Sequence, residues 1–160
     1  MLNVNLIYLG APKEKFFREA LDEYEKRLSR FCRFKELCVK PENLPQNPSD
    51  GEIRAALAKE KVKITEVLPK GAYKIALCIE GREVSSEKLA ENIDSLAVRG
   101  VSEIAFIIGS SHGLDESLKK ECDERLSMSK MTFAHSLAAV MLTEQIYRAF
   151  CITGGEKYHK

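Results

Sequence analysis

The chain has 160 residues, 44% of them apolar and 31% charged. That is the makeup of one globular domain able to bury a core, and it excludes a disordered polymer. The formal net charge of +1 excludes a protein that holds polyanions by global charge, while leaving room for nucleic acid met at a local patch.

MLNVNLIYLG carries no basic leader and reads as a first strand, Leu2 to Leu9, rather than a secretory signal. Gly10-Ala11-Pro12 breaks it. From Lys13 to Arg30 the apolar residues Phe16, Phe17, Ala20, Leu21, Tyr24 and Leu28 recur at helical spacing. The opposite face mixes Lys and Arg with Glu and Asp, which favours a solvated face over an RNA-facing stripe. Phe34 to Val39 is a second strand, and Pro41, Pro45 and Pro48 hold the next stretch as a loop. Asp50 is placed to cap a helix reaching about Val67, which Pro69 and Gly71 end.

Lys74 to Glu80, KIALCIE, is almost wholly apolar, as expected for a strand covered on both faces, and Gly81 is expected to turn the chain. Ser85 or Ser86 caps a helix ending near Gly100. Glu103 to Ile108 is another buried strand, and Leu114 to Glu124 a short helix. A short strand follows at Arg125 to Ser129, and a final helix runs from Ala134 to about Cys151. Strands alternate with helices throughout, so the expected class is α/β, a largely parallel sheet flanked by helices, as one domain over 1–160. No segment has the apolar length that spans a bilayer. Cys32, Cys38, Cys78, Cys122 and Cys151 are odd in number and contain no C-x-x-C pair. They are expected to be reduced and mostly buried in a cytoplasmic protein, with no disulfide frame and no metal site.

Ligands of open α/β sheets sit at the carboxyl ends of strands. Three such ends stand out: Leu77 to Gly81, Gly109 to Gly113, and Met128 to Phe133. Converging, they would make a cleft for a flat heterocycle, with Leu77, Met128 and Phe133 on its faces and backbone groups at its edge. The paired glycines 109 and 113 would let backbone approach a ligand. Neither a Rossmann fingerprint nor a phosphate loop is present. In the last helix Glu144 and Arg148 are four apart and can pair, either as a plain ion pair or with Arg148 aimed at a phosphate or base. His135 is either a helix-start polar residue or a site contact. Tyr158 and His159 are either idle in a solvated tail or folded back into a site.

The motifs SMSKMTF-x-H-x-L, EQIYRAF and a Gly-rich turn before E-x-YHK resemble those of the RlmH (YbeA-type) ribosomal RNA methyltransferases of the SPOUT superfamily. So do the IG-x-x-x-G loop, LCIEG and the N-terminal LIYLG, so the resemblance covers nearly the whole chain. It implies a deep trefoil knot over roughly 103–155, a rare exception to the unknotted-chain rule. It implies S-adenosyl-L-methionine held by Leu77, Gly109, Met128, Ser129, Lys130, Met131, Thr132 and Phe133. It further implies a homodimer that methylates ring nitrogen 3 of a pseudouridine in large-subunit rRNA, on the assembled ribosome. His159, Tyr158, Arg148 and His135 are then the candidates for handling the imide proton, with Glu144 orienting Arg148, and the tail can complete the partner's cleft.

Four positions depart from the family pattern: Ser110 for a second Gly, Ala134 for Pro, Ala139 for Arg, and Lys157 for a small residue or Pro. Ala139 and Lys157 keep open a SPOUT enzyme with a different RNA target. A non-catalytic knotted RNA- or ribosome-binding dimer and a generic nucleotide-binding module are the other readings.

Overall fold

A computed structural model describes residues 1–159. Five strands, β1 (Asn3–Leu9), β2 (Arg33–Val39), β3 (Tyr73–Glu83), β4 (Glu103–Ile108) and β5 (Glu124–Ser127), form one sheet in the order β2-β1-β4-β3-β5. Every neighbouring pair is parallel. Parallel strands require crossovers, and four helices supply them: α1 (Lys15–Leu28), α2 (Asp50–Val67), α3 (Ser86–Val98) and α4 (Glu116–Glu121), while α5 (His135–Thr153) follows the last strand.

Alternation along the strands sorts the core into two layers. Val4, Leu6, Ile104, Phe106 and Ile108 face α1, α3 and α5, meeting Leu21, Ile93, Leu142 and Ile146. Ile7, Leu9, Ala105 and Ile107 face α2 and α4, meeting Ile64 and Leu118. The α/β class and the order of elements are therefore as the sequence predicts.

Several local expectations are corrected. The α2 cap is Ser49, not Asp50: its side chain accepts from the Glu52 backbone N–H, and the Glu52 carboxylate accepts from Ser49 N–H. This reciprocal pair satisfies two otherwise orphaned donors. Ser49→Ala is expected to cost about 1 kcal/mol, read as a lower urea midpoint at unchanged slope. The α1 polar face, by contrast, is solvated as expected and carries helical ion pairs, Lys15–Glu19 at 3.4 Å and Arg27–Glu23 at 2.8 Å. Arg18 pairs along the helix with Asp22 at 2.8 Å and also reaches inward, to Glu36 at 2.6 Å. Burial of the thiols is only partial: Cys32 and Cys151 are buried, but Cys38 is exposed. Burial pushes the Cys32 thiol up to about 12.

The largest correction concerns β3. Only Ile75 and Ala76 are buried within it, and Gly81 does not turn the chain. Leu126 of β5 pairs with Leu77 and again with Arg82, so residues 78–81 arch out between the two pairings. Gly81 is needed there because a Cβ would lie 2.7 Å from the Leu126 backbone carbon. The outer half of β3 escapes cover because it borders a cavity.

Candidate functional site

The carboxyl ends of β3, β4 and β5 converge on a cavity of about 1000 Å³. Leu77 and the arch residues Cys78 to Glu80 form one wall, and the turn 109–113 after β4 forms another. The third comes from Met128, Ser129, Met131, Thr132 and Phe133 after β5. Lys130 does not line the cavity and is exposed. Arg54 and Leu57 of α2 and Lys119 of α4 close the side.

The 109–113 turn is tight for an internal reason. A Cβ at Gly109 would overlap the backbone of Gly113, and Gly113 itself has φ +83°. The two glycines thus make room for each other, where the sequence suggested room for a ligand. Ser127 and Ser129 hold the β5 segment: Ser127 Oγ donates to the Ser129 carbonyl at 3.0 Å, and Ser129 Oγ accepts from Met131 N–H at 3.0 Å. Lys119, 8% exposed at its side chain, bridges Glu80 of the arch and Glu116 of its own helix. Two carboxylates satisfy what would otherwise be a costly buried cation.

His135 lies at the start of α5 and lines the same cavity. Its Nε2 donates to the Gly10 carbonyl at 3.2 Å, which ties α5 to the end of β1 and leaves Nδ1 as an acceptor. Ala134, just before it, has φ −54°, inside the range a proline would impose. The family's Pro can therefore be absent here without altering the backbone path.

The tail folds back. Gly155, at φ +70°, reverses the chain after α5, and Glu156 N–H donates to the Cys151 carbonyl at 2.9 Å. Tyr158 packs edge-on against Tyr147 with centroids 4.8 Å apart. Its hydroxyl donates to Glu144 Oε1 at 3.1 Å. Arg148 donates to the same oxygen through Nη2 at 2.6 Å and Nε at 3.1 Å, while its guanidinium lies 4.7 Å from the Tyr158 ring centroid. The other Glu144 oxygen accepts from Gln145 Nε2 at 2.7 Å, and the Gln145 carbonyl accepts from Ser86 Oγ at 2.6 Å. Glu144 is therefore a saturated hub.

His159 closes the cluster. Its Nδ1 is 3.4 Å from Arg148 Nη1, which can only donate, and its Nε2 is 2.8 Å from Glu87 Oε1. That arrangement suits the neutral ring with the proton on Nε2 and a lone pair on Nδ1. Hydrogen bonds from its own backbone N–H and then from His159 hold the Glu87 carboxyl below the usual range. Burial, with bonds to Tyr24 and Glu144, pushes the Tyr158 phenol well above its ordinary value. At neutral pH Tyr158 is a donor and cannot serve as a base. Hydrogen bonds to Glu144, with the charge of its carboxylate, keep Arg148 cationic.

The structure thus brings Glu144, Arg148, Tyr158 and His159 together but sets His135 in the large cavity. Glu144 borders a second cavity of about 440 Å³, and Ser127 and Met128 line both. Arg148, Tyr158 and His159 line neither. Three contributors went unread in the sequence. Tyr24 and Glu87 carry no local signal. Glu60 does: it stands between Ala56 and Ile64 on the buried stripe of α2, a carboxylate where a hydrophobic residue belongs. Ala139 is fully buried in the core of this chain. Lys157 is exposed.

Residues 2–159 match the family described as "Predicted SPOUT methyltransferase". Over 159 residues, 99% of this chain and 100% of the relative, the sequence is 46% identical to the ribosomal RNA large subunit methyltransferase H of Bifidobacterium adolescentis. With the same coverage it is 45% identical to the protein of that name from Clostridium botulinum and to a putative one from Methanococcus maripaludis. Among solved structures, a protein described as a probable methylase family member from Haemophilus influenzae superposes with TM-score 0.52 at 13% identity, covering 99% of this chain and 70% of its own. A protein described as a probable methyltransferase from Bordetella pertussis gives 0.54 at 13%, covering 93% and 96%. At such identity the two structures support the fold alone.

Proposed function

The chain belongs to the SPOUT methyltransferase family, in its ribosomal RNA large subunit methyltransferase H group, and from that premise we propose that it methylates large-subunit ribosomal RNA with S-adenosyl-L-methionine as donor. The observation that carries this reading is similarity of 45% to 46% along the entire length of relatives bearing that name. The finer assignment is ring nitrogen 3 of a pseudouridine, modified on the assembled large subunit or ribosome in the cytoplasm.

The residues present fit the cofactor. The large cavity offers apolar surfaces at Leu77, Met128 and Phe133, polar groups at Ser129 and Thr132, and backbone at Gly109 and Gly113. Leu77, Gly109, Met128, Ser129, Met131, Thr132 and Phe133 would hold the cofactor, while the exposed Lys130 stays outside the lining. Bound there, S-adenosyl-L-methionine supplies a methyl group activated by its sulfonium.

The remaining work falls to the chain's own groups. An imide N–H must lose its proton, or its developing anion must be stabilised, as nitrogen attacks in line. The Nδ1 lone pair of His159 is suited to accept that proton once it is released from Arg148, and His135 Nδ1 is the second candidate. Arg148, fixed by Glu144, is suited to stabilise negative charge on the base. Tyr158 orients both by filling the space between Tyr147 and Arg148. Because the cluster and the large cavity are separately lined in one chain, we read the working unit as a homodimer in which the tail of one protomer completes the cleft of the other. The deep knot, roughly 103–155, belongs to the same proposal. It rests on membership of the SPOUT family.

Mass mapping of ribosomal RNA from cells with and without the protein tests the reading. One methyl on one large-subunit pseudouridine should appear only with the protein. Identical maps would overturn it, and a new methyl on a different nucleotide would correct the target.

A further inference from the structure

One buried carboxylate lies apart from the cluster around Glu144. Glu60 is 3% exposed, in the middle of α2. Its Oε2 accepts from the backbone N–H of Glu42 at 3.0 Å, and its Oε1 accepts from Ser110 Oγ at 2.9 Å. One side chain therefore joins the helix, the loop after β2 and the turn after β4. Both partners donate to a carboxylate, which makes the bonds charge-assisted and strong for their number.

Ser110 is well placed to pass that restraint on. Its carbonyl accepts from Gly113 N–H at 2.9 Å, and the two residues form an isolated antiparallel bridge. Gly109 packs on the Gly113 backbone so closely that no side chain fits between them. The turn is a closed unit whose anchored point is the Ser110 hydroxyl, and residues 109–113 all line the large cavity. A buried carboxylate spent on an external turn is a poor choice for stability alone, since an apolar residue would pack the α2 stripe at lower cost.

We propose that Glu60 is a positioning residue for the cofactor: by clamping Ser110 it holds the 109–113 turn in its binding shape before the ligand arrives. The inference rests on the functional reading above, because it takes the large cavity as the cofactor's. Preorganisation of this kind raises affinity by lowering the ordering cost of binding. The clamp needs a hydroxyl at position 110, so the serine that replaces a glycine of the family pattern is a working part here.

Two measurements on the full-length protein test it. Hydrogen exchange in the ligand-free protein reads the turn directly, since local opening sets the rate. In Ser110→Ala the amides of residues 109–113 should exchange at least about tenfold faster, while those of β1 and β4 stay unchanged. Calorimetry with S-adenosyl-L-methionine should show a dissociation constant raised about five- to twentyfold in Ser110→Ala, with a melting temperature lowered by only about 2–4 °C as Glu60 Oε1 loses its partner. Ser110→Thr should restore both. Glu60→Gln, which can accept from Glu42 and donate to Ser110, should fall between wild type and Ser110→Ala. Unchanged exchange and affinity in Ser110→Ala would overturn the clamp. A wild-type protein that fails to bind the cofactor would overturn the functional reading instead, and the exchange data would still decide whether Glu60 orders the turn.

Discussion

His159→Ala is expected to slow methyl transfer by about a hundred- to ten-thousandfold, the usual contribution of a general base, while cofactor affinity stays within a few-fold of wild type. The separation follows from placement. His159 sits on Arg148 and Glu87, whereas the cofactor residues line the large cavity and do not include it. Truncation of the side chain removes a proton acceptor and frees one face of Arg148, but leaves the Glu144 bonds to Arg148 and Tyr158 intact. Single-turnover transfer to ribosomes reads the first quantity and calorimetry the second. His159→Gln separates the roles further: it can accept from Arg148 but cannot take up a proton near neutrality, so it should restore geometry without rate. Turnover of His159→Ala at the wild-type rate would remove the tail from the chemistry, as would full activity after deletion of residues 156–160.

Gly109→Leu is expected to weaken S-adenosyl-L-methionine binding at least about a hundredfold, equivalent to about 2.8 kcal/mol. The sequence suggested that a side chain here would block a ligand. The structure gives a nearer cause, because the first carbon of any side chain would overlap the Gly113 backbone. The turn must then open, and its Ser110 anchor to Glu60 must shift with it. Gly109→Ala should already produce most of the loss, which distinguishes collapse of the turn from simple filling of the cavity. A thermal scan alongside the calorimetry checks that the sheet survives. A dissociation constant unchanged in both variants would place the cofactor elsewhere.

The sheet was legible because its strands carry period-two or continuous apolar runs, and β4 is read to the residue at Glu103 and Ile108. The β3 arch was not, since the apolar stretch KIALCIE looks the same whether covered by helices or bordering a cavity. Gly81 likewise looks like a turn in one dimension and is a close approach to the β5 backbone in three. The Glu144–Arg148 pair could be read because helical spacing puts both on one side. Its partners could not: Glu87 reaches His159 across 72 positions and Tyr24 comes from another helix. Placement of His135 away from the tail also lay beyond the sequence, because Gly10, its acceptor, is 125 positions distant.

The parallel register of β1 with β4 has a kinetic corollary. Asn3 lies opposite Glu103, so the inner edge of the first strand has no neighbour until two thirds of the polypeptide has been synthesised. β5 and α5 come later still, and the walls they supply to the cavity follow them. Pairings so distant along the sequence make folding slow, on the scale of milliseconds to seconds or longer. During translation the nascent chain should expose a sticky, half-built sheet that chaperones can recognise. Binding competence should then emerge abruptly after release, as the final event of maturation.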